Sequence, residues 1–406
     1  MPPTEVLDNT ARGGPEWARS PFRPPWWLSG PHLQTLAGRR LRPRSGVHYR
    51  RERIETPDGD FLDLDFASGG DGRSGGGPSP FVLLLHGLEG SSSSGYMLES
   101  CRLLAGRGLR PIALNFRSRS GEPNLTRRFY HSGETGDLDH AIGVLANRLP
   151  DAEFGILGYS LGGNVLLKYL GERGEETHPR LRAACAVSVP FDLAASARHL
   201  QRGLGRLYSR LFLRSLRRNI RAKAALFPGA YDLQAAARAR TLWEFDDAVT
   251  APVHGFVDAA DYYSRSSSAA YLTRIRVPTL LLQAADDPFV PRDSLPVASM
   301  RANPWLSAAL TRRGGHLGFV TRDRAGRWVF WAEREAARFL ASHLTPSARC
   351  FGVGKSRGDG TAPPAGERRP RPSSPERSGT HHVPPPTGSR RYQAELSTGS
   401  RADRTP

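Results

Sequence analysis

The 406-residue chain has little cysteine and no long apolar segment. Its three cysteines, Cys101, Cys185 and Cys350, form no CxxC pair. That spacing argues against a disulfide framework or a cysteine-based zinc site, and it fits a reducing compartment. No uncharged apolar run reaches 18 residues, and the first 20 residues contain no apolar stretch of the signal-peptide type. We therefore expect no membrane span, no cleaved leader and a cytoplasmic location.

Lysine is nearly absent, yet the chain is strongly basic. Only three of its 57 basic residues are lysines, and the formal net charge is +18. An excess of this size favours a nucleic-acid or anionic-membrane partner. Arginine spread evenly along a chain gives the same total, however, and no recognised nucleic-acid motif accompanies it. We therefore expect no nucleic-acid partner.

The two ends of the chain differ in composition from its middle. Residues 346–406 are rich in proline, arginine, serine and glycine and lack apolar periodicity. Such a segment cannot bury enough surface to offset the entropy lost on ordering. We predict a disordered basic tail there, a flexible N-terminus at residues 1–20, and one globular domain over residues 21–345. The oligomeric state stays open.

Short apolar runs alternate with helical patterns through the predicted domain. Runs of this kind predict an α/β fold with a mostly parallel central sheet and helices on both faces. Upstream, VHYRRERIET (47–56) and FLDLDF (61–66) alternate at period two, which is typical of an antiparallel edge pair. The predicted parallel strands are FVLLLHG (81–87), RPIALNF (110–116), EFGILGYS (153–160), RAACAVSV (182–189), VPTLLLQA (277–284) and LSAALTR (306–312). The predicted helices include TGDLDHAIGVLANRL (135–149), LGGNVLLKYLGERG (161–174) and RWVFWAEREAARFLASHL (327–344).

A glycine-rich turn joins the predicted strand at 153–160 to the next helix. The segment Gly158-Tyr159-Ser160-Leu161-Gly162 has GxSxG spacing, and a strand, a turn and a helix are the context that a nucleophile elbow requires. Glycines on either side permit close backbone approach, and strain at the serine points its hydroxyl away from the sheet. The alternative is a structural glycine turn that contains a serine by chance. The context favours Ser160 as a nucleophile.

A serine nucleophile needs a histidine base and an acid that orients the histidine. In this architecture the chain order is serine, acid, histidine. Asp286 and Asp287 follow the predicted strand at 277–284, and His316 follows the strand at 306–312. The carboxyl ends of parallel strands meet at one edge of the sheet, where such folds build their sites. The residues alone leave open which aspartate orients His316.

An oxyanion hole needs two backbone N–H groups. The amide of Leu161 directly follows the nucleophile. The second should come from the loop after LLLHG, and we choose the amide of Leu88. His86 in that loop is interpreted as a structural histidine, because the backbone performs the stabilisation.

Seven longer segments are distinctive beyond the GxSxG turn. They are FRPPWWLSGPHLQTL (22–36), LLLHGLEGSSSSGY (83–96), LNFRSRSGEPNLTRRFYHSGET (114–135), GYSLGGN (158–164), EFDDAVTAPVHGFVDAADYY (244–263), DDPFVP (286–291) and GGHLGF (314–319). Together they resemble the YheT-type branch of the α/β-hydrolase superfamily, which is close to the eukaryotic abhydrolase-domain lipases. The resemblance implies an α/β-hydrolase fold, a triad of Ser160, Asp287 and His316, carboxylic-ester hydrolysis, and no metal or organic cofactor. Ser118-Arg119 stands where the family usually has a Gly-Cys pair.

We therefore expect a serine carboxylic-ester hydrolase that acts on a small-molecule acyl ester. Short- to medium-chain esters and monoacylglycerol-like lipids are the expected substrates. An acyltransferase would use the same triad and pass the acyl group to an alcohol. A catalytically silent binding scaffold is the alternative from another class.

A long insertion separates the predicted strands at 182–189 and 277–284. It is too long for one crossover, which predicts a helical cap over the site at about residues 190–270. Within it, the segment 198–223 carries nine basic residues and no acidic one, with Leu200, Leu204, Leu207 and Leu211 at helical spacing. We expect these leucines to be buried in the cap. At most weak, electrostatic contact with an anionic membrane would then remain.

Overall fold

The computed structural model describes residues 21–68 and 79–345, together with the backbone of residues 4–8. Within those ranges the chain forms eleven strands and twelve α-helices. The strands are β1 (Thr4–Asp8), β2 (Tyr49–Glu55), β3 (Phe61–Ala67), β4 (Phe81–Leu85), β5 (Arg110–Asn115), β6 (Phe154–Tyr159), β7 (Leu181–Val187), β8 (Thr279–Ala284), β9 (Leu306–Thr311), β10 (Val320–Arg322) and β11 (Trp328–Phe330). The helices are α1 (Pro31–Leu41), α2 (Gly95–Ala105), α3 (Gly136–Arg148), α4 (Leu161–Arg173), α5 (Leu193–His199), α6 (Gly205–Leu226), α7 (Leu233–Arg238), α8 (Leu242–Phe245), α9 (Ala251–His254), α10 (Ala259–Ser266), α11 (Val297–Ala302) and α12 (Trp331–Leu344).

Nine of the described strands form one sheet in the order β1-β9-β8-β7-β6-β4-β5-β3-β2. The pairs from β5 through β9 are parallel, and β2, β3 and β1 add antiparallel partners at the edges. The predicted mostly parallel sheet and its antiparallel edge pair are confirmed. Each parallel strand is buried along nearly its whole length, which explains why the sequence shows continuous apolar runs there.

Helices cover both faces of the sheet, as predicted. Successive residues of β4 point to opposite faces, so Leu83 joins one apolar cluster and Leu84 the other. The first cluster receives Leu138 from α3 and Val165 from α4. The second receives Trp331 and other apolar residues of α2 and α12. The sheet is therefore held from both sides, and its carboxyl-end loops project from a fixed frame.

Two predicted boundaries are wrong. The expectation of a flexible N-terminus fails for Thr4–Asp8, because the backbone of this segment forms β1 and pairs antiparallel with β9. Five residues without a strong alternating pattern give little sequence signal, and the hydrogen-bonding edge of β9 decides the outcome. The last predicted helix begins at Trp331 rather than Arg327, because Trp328–Phe330 pair with β10. The rest of 1–20 and the predicted tail at 346–406 lie outside the described residues.

The predicted helical cap is present and contains α5 to α10, with two small apolar clusters of its own. The expected burial of its leucine stripe is confirmed for Leu200 only. Leu204, Leu207 and Leu211 are 60%, 55% and 52% exposed. Helix α6 instead turns a second stripe inward, which includes Leu213 and Ile220 and ends on Lys223. No helix in the described ranges is long and apolar enough to cross a membrane.

Candidate active site

Ser160 lies on a strained turn between β6 and α4. Its φ of 51° and ψ of −117° are rare for a residue with a side chain. The two flanking glycines make the turn possible. A Cβ at Gly158 would lie 2.6 Å from the carbonyl oxygen of Gly162, and a Cβ at Gly162 would lie 2.6 Å from that of His86. The predicted steric reason for the glycines is therefore present in the fold.

His316 and Asp287 lie next to Ser160, on loops that follow β9 and β8. The Oγ of Ser160 is 3.0 Å from Nε2 of His316. The Nδ1 of His316 is 2.8 Å from one carboxylate oxygen of Asp287 and 3.1 Å from the other. A carboxylate only accepts, so Nδ1 carries the proton and Nε2 is free to accept from the serine hydroxyl. The three residues form one continuous hydrogen-bonded chain.

The two adjacent aspartates have different environments. Asp287 is 3% exposed, accepts the amide N–H of Phe289 at 2.8 Å and contacts the histidine ring. Asp286 instead accepts the amide N–H of Gly315 at 2.9 Å, and burial raises its pKa. Phe289 also stacks on the imidazole of His316, with ring centroids 4.1 Å apart. The structure thus brings Asp287, and not Asp286, against the histidine.

The loop after β4 runs beside Ser160. A Cβ at Gly87 would lie 3.1 Å from the Cβ of Ser160. Tyrosine hydroxyls accept the amides on either side of Leu88: Tyr96 accepts that of Gly87, and Tyr130 accepts that of Glu89, both at 2.9 Å. In the described part of the chain, the Leu88 and Leu161 amides have no hydrogen-bond acceptor. Both are therefore available to an incoming oxygen.

Two side chains around this loop have structural roles. His86 accepts the amide N–H of Phe116 at Nε2 and donates from Nδ1 to the carbonyl of Gly87 at 2.8 Å. Burial lowers the pKa of His86 to about 3, which keeps the ring neutral. Arg119, the departure from the family pattern, donates to the carbonyls of Glu89 and Gly90 at 2.7 and 3.0 Å. This arginine clamps the loop that carries the Leu88 amide.

Two cavities meet at Ser160 and His316. The inner pocket reaches into the cap, and its walls are mostly apolar and contain no exposed residue. Its apolar lining includes Phe129, Leu193, Leu200, Phe212, Leu216 and Phe289. The outer opening runs between α1 and α6, and its lining includes the exposed residues Leu36, Arg39, Arg44, Leu211 and Arg218.

One wall of the inner pocket is polar. Asp246 accepts hydroxyl hydrogens from Thr250 and Tyr263, each at 2.6 Å. Burial raises the pKa of Asp246 to about 6, although these two hydrogen bonds oppose the rise. The pocket therefore contains a carboxyl group whose charge changes near neutral pH.

A second group of polar residues lies under the same pocket. The ligand atoms of His131, Glu134 and His254 are within 4.8 Å of one another, a spacing that a metal ion could use. However, Nδ1 of His131 accepts the amide N–H of Gly133 at 3.1 Å, which places the ring proton on Nε2. That nitrogen faces Glu134 at 3.5 Å, and Arg128 pairs with the same carboxylate at 2.7 Å. Arg128, Glu134 and His131 therefore form a polar cluster, whereas neither buried ring nitrogen of His254 has a hydrogen-bond partner among the described residues.

A family of known proteins matches this chain. The family described as "alpha/beta hydrolase fold" matches residues 80–299, which include Ser160 and Asp287. The chain belongs to the α/β-hydrolase fold family.

Individual relatives within the α/β-hydrolase family cover most of the chain. The protein named "Putative esterase YheT" from Escherichia coli is 37% identical over 325 residues, which are 80% of this chain and 94% of that protein. "Phospholipase ABHD3" from Homo sapiens is 32% identical over 302 residues, or 74% of this chain and 73% of that protein. "Monoacylglycerol lipase" from Saccharomyces cerevisiae is 31% identical over 269 residues, or 64% of this chain and 59% of that protein.

The sequence predicts the three hydrogen-bonded side chains of this α/β-hydrolase but not the residues that surround and position them. Tyr96 and Tyr130 lie inside segments that carry the family resemblance, yet no local pattern marks a tyrosine that will accept a loop amide. Phe289 and Asp246 were likewise not singled out. Only the fold brings them to the site, so residue spacing could not have found them.

We expect Gly162→Ala to disrupt the elbow, because the new Cβ would collide with backbone carbonyls of Leu85 and His86 at 2.6–2.7 Å. Overpacking of this kind costs roughly 1–3 kcal/mol or more of unfolding free energy. Gly143→Ala on α3 is the matched control, since its Cβ would meet nothing within 4 Å. Urea unfolding should show a loss for the first variant and none for the second. Equal stability of the two would contradict the steric account.

We expect Asp246 to make stability depend on pH. Its carboxyl ionises at about 3.8 when unfolded and at about 6 when folded. Its contribution is therefore complete below pH 4 and is lost as pH rises through 6. Between pH 4 and 8 the wild type should lose about 2 kcal/mol relative to Asp246→Asn, less than the full shift because the group borders the pocket.

Urea unfolding at pH 4, 5, 6, 7 and 8 measures this difference. Asp247→Asn is the control, because the neighbouring Asp247 side chain is exposed and does not line the pocket. A pH-independent difference between wild type and Asp246→Asn would show that the carboxyl at position 246 titrates normally.

Proposed function

We propose that the chain is a serine carboxylic-ester hydrolase that uses Ser160, His316 and Asp287. Family membership and its relatives place it among hydrolases of the esterase and lipase type. One observation carries the assignment of residues: the three side chains form an unbroken hydrogen-bonded chain beside two unpaired amides and an apolar pocket. That set of groups is what acyl transfer by a serine requires.

The geometry supports a two-step reaction. As Oγ of Ser160 attacks the ester carbonyl carbon, Nε2 of His316 takes the hydroxyl proton. Asp287 holds the Nδ1 proton and stabilises the imidazolium that results. The carbonyl oxygen becomes an oxyanion, and the amides of Leu88 and Leu161 donate to it. Leu161 is also the first residue of α4, so the positive end of the helix dipole favours the same charge.

Loss of the alcohol completes the first step. The tetrahedral intermediate collapses as His316 donates its new proton to the leaving alkoxide, which departs as an alcohol and leaves an acyl ester on Ser160. In the second step, His316 accepts a proton from water as the water attacks the acyl carbon. The second tetrahedral intermediate then collapses, the carboxylic acid leaves, and His316 returns the proton to Oγ of Ser160. This chemistry is complete with the residues of the chain.

The inner pocket supports an acyl ester as substrate. Its aromatic and aliphatic walls suit a hydrocarbon chain, since apolar surface enters such a pocket favourably. We propose short- to medium-chain acyl esters or monoacylglycerol-like lipids, in keeping with the names of two relatives, an ABHD3 phospholipase and a monoacylglycerol lipase. A cytoplasmic location is part of the proposal, supported by the free, buried thiols of Cys101 and Cys185.

Ser160→Ala tests the nucleophile. Removal of the only acylated atom should lower the hydrolysis rate by on the order of 10⁴–10⁶. The wild type should be labelled by a fluorophosphonate probe and the variant should not, with unchanged circular dichroism as the check on folding. A variant with near-wild-type turnover of p-nitrophenyl esters would refute the assignment.

A pair of adjacent variants tests the acid. Asp287→Asn should lower kcat by on the order of 10²–10⁴, because the amide can donate to Nδ1 and so favours the wrong tautomer of His316. Asp286→Asn keeps the oxygen that accepts from Gly315, so its kcat should be nearly unchanged. Steady-state kinetics on one ester compares the two. The opposite ranking would assign the role to Asp286.

A further inference from the structure

An exposed apolar surface flanks the outer opening of the site. It consists of Leu33 and Leu36 on α1 with Leu204, Leu207 and Leu211 on or beside α6, and we call it the leucine rim. Leu33 and Leu36 are 53% and 49% exposed, similar to the three leucines at α6. Such a cluster on a water-facing side marks an interaction surface, whereas scattered apolar residues would need no explanation.

Direct contacts join the two helices of the leucine rim. Nδ1 of His32 on α1 lies 3.2 Å from the hydroxyl of Tyr208 on α6, and the two rings stack with centroids 5.7 Å apart. Leu36 and Leu211 line the same outer opening, which has Ser160 and His316 in its wall. The rim is therefore continuous with the route to the nucleophile.

The surface around the leucine rim is basic. With 3.6 residues per turn, Leu204, Leu207 and Leu211 fall within an arc of about 100° that also contains Arg214, Arg218 and Arg221 of α6. All three arginines are exposed, and α6 contains no acidic residue.

The same sign of charge lines the outer opening. Arg39, Arg44 and Arg218 contribute exposed cations to it. Its one acid among the described lining residues is Glu89, which is bound by Arg119 and Asn219. Apolar side chains and unmatched positive charge thus occur on one face.

We propose that the leucine rim binds the surface of an anionic phospholipid membrane and presents the outer opening to it. Leucines that enter the boundary between headgroups and acyl chains, with arginines beside anionic headgroups, are the two contributions that hold an interfacial helix. An acidic protein partner would match the charge but not require five exposed leucines. The choice of lipid also rests on the proposed function, because an esterase on a membrane meets its acyl substrates there.

This inference replaces the sequence-based expectation of weak, purely electrostatic contact. That expectation required Leu204, Leu207 and Leu211 to be buried in the cap, and they are exposed. Binding should therefore have an apolar component that salt does not screen, in addition to the component from arginine that salt weakens.

Co-sedimentation of the full chain with vesicles tests the proposal without turnover. We expect binding to phosphatidylcholine vesicles that contain phosphatidylserine, weaker binding to pure phosphatidylcholine, and partial retention at high salt. Leu33→Ser/Leu207→Ser should lower the partition coefficient roughly tenfold or more at any salt concentration, since it removes two apolar contacts. Neither residue lines a cavity at the nucleophile, so hydrolysis of a soluble short-chain ester should be unchanged.

Two further variants sharpen the comparison. Arg214→Gln/Arg221→Gln should reduce binding to the vesicles that contain phosphatidylserine but not to pure phosphatidylcholine. The remaining binding should depend less on salt concentration. Trp305→Ser is the matched apolar control, because Trp305 is 40% exposed and precedes β9 at the amino ends of the strands, opposite the site. It should leave partitioning unchanged.

The proposal is overturned if wild type and Leu33→Ser/Leu207→Ser sediment equally, or if the wild type does not bind anionic vesicles. It is also overturned if the wild type is a dimer that this double variant converts to monomer, because the rim would then be a contact between copies. Vesicle binding by a chain that hydrolyses no ester would refute the proposed function and leave the membrane surface intact.

Discussion

The backbone strain at Ser160 is the constraint on which the site depends. A positive φ followed by an immediate helix needs α4 to approach β4 so closely that its second residue cannot carry a Cβ. The same approach places the Leu161 amide, the loop at Gly87 and the serine hydroxyl on one side of the sheet. Close packing of the sheet and α4 around the turn supplies the free energy that holds this strained conformation. The same close packing therefore positions Ser160 and the two amides that are proposed to stabilise the oxyanion.

The parallel sheet brings residues that are far apart in the sequence to the same site. Since β6, β8 and β9 run in the same direction, their carboxyl ends deliver Ser160, Asp287 and His316 to one edge. The exact positions of these three side chains depend on neighbouring residues that have no part in the proposed reaction. The stacked ring of Phe289 contacts His316, and the backbone amide of Phe289 donates to Asp287, so one residue holds both side chains in place. Arg119 and two tyrosines hold the loop that carries the Leu88 amide, so each group in the proposed mechanism has a rigid support.

Features set by residues close together in the sequence could be predicted, and features set by contacts between distant residues could not. The strands, the elbow and His316 were accessible because apolar runs, glycine spacing and strand ends are local signals. The tyrosines that accept loop amides were not, because their partners lie 9 and 41 residues away and no periodicity links them. The predicted orientation of α6 is wrong for a different reason. That helix has two apolar stripes, and only the packing of the cap selects Leu213 and Ile220 rather than Leu207 and Leu211.

The exposed leucines of α6 and the excess of arginine are both explained by the proposed contact with an anionic membrane. Leucines left in water contribute little to the stability of the fold and promote association between copies. A formal net charge of +18 opposes self-association and draws the chain toward negative surfaces. At an anionic membrane both features become favourable, since the headgroups neutralise the arginines and the acyl region accepts the leucines. Because the opening to Ser160 lies between these same helices, the proposed membrane-bound orientation also turns that opening toward the lipid.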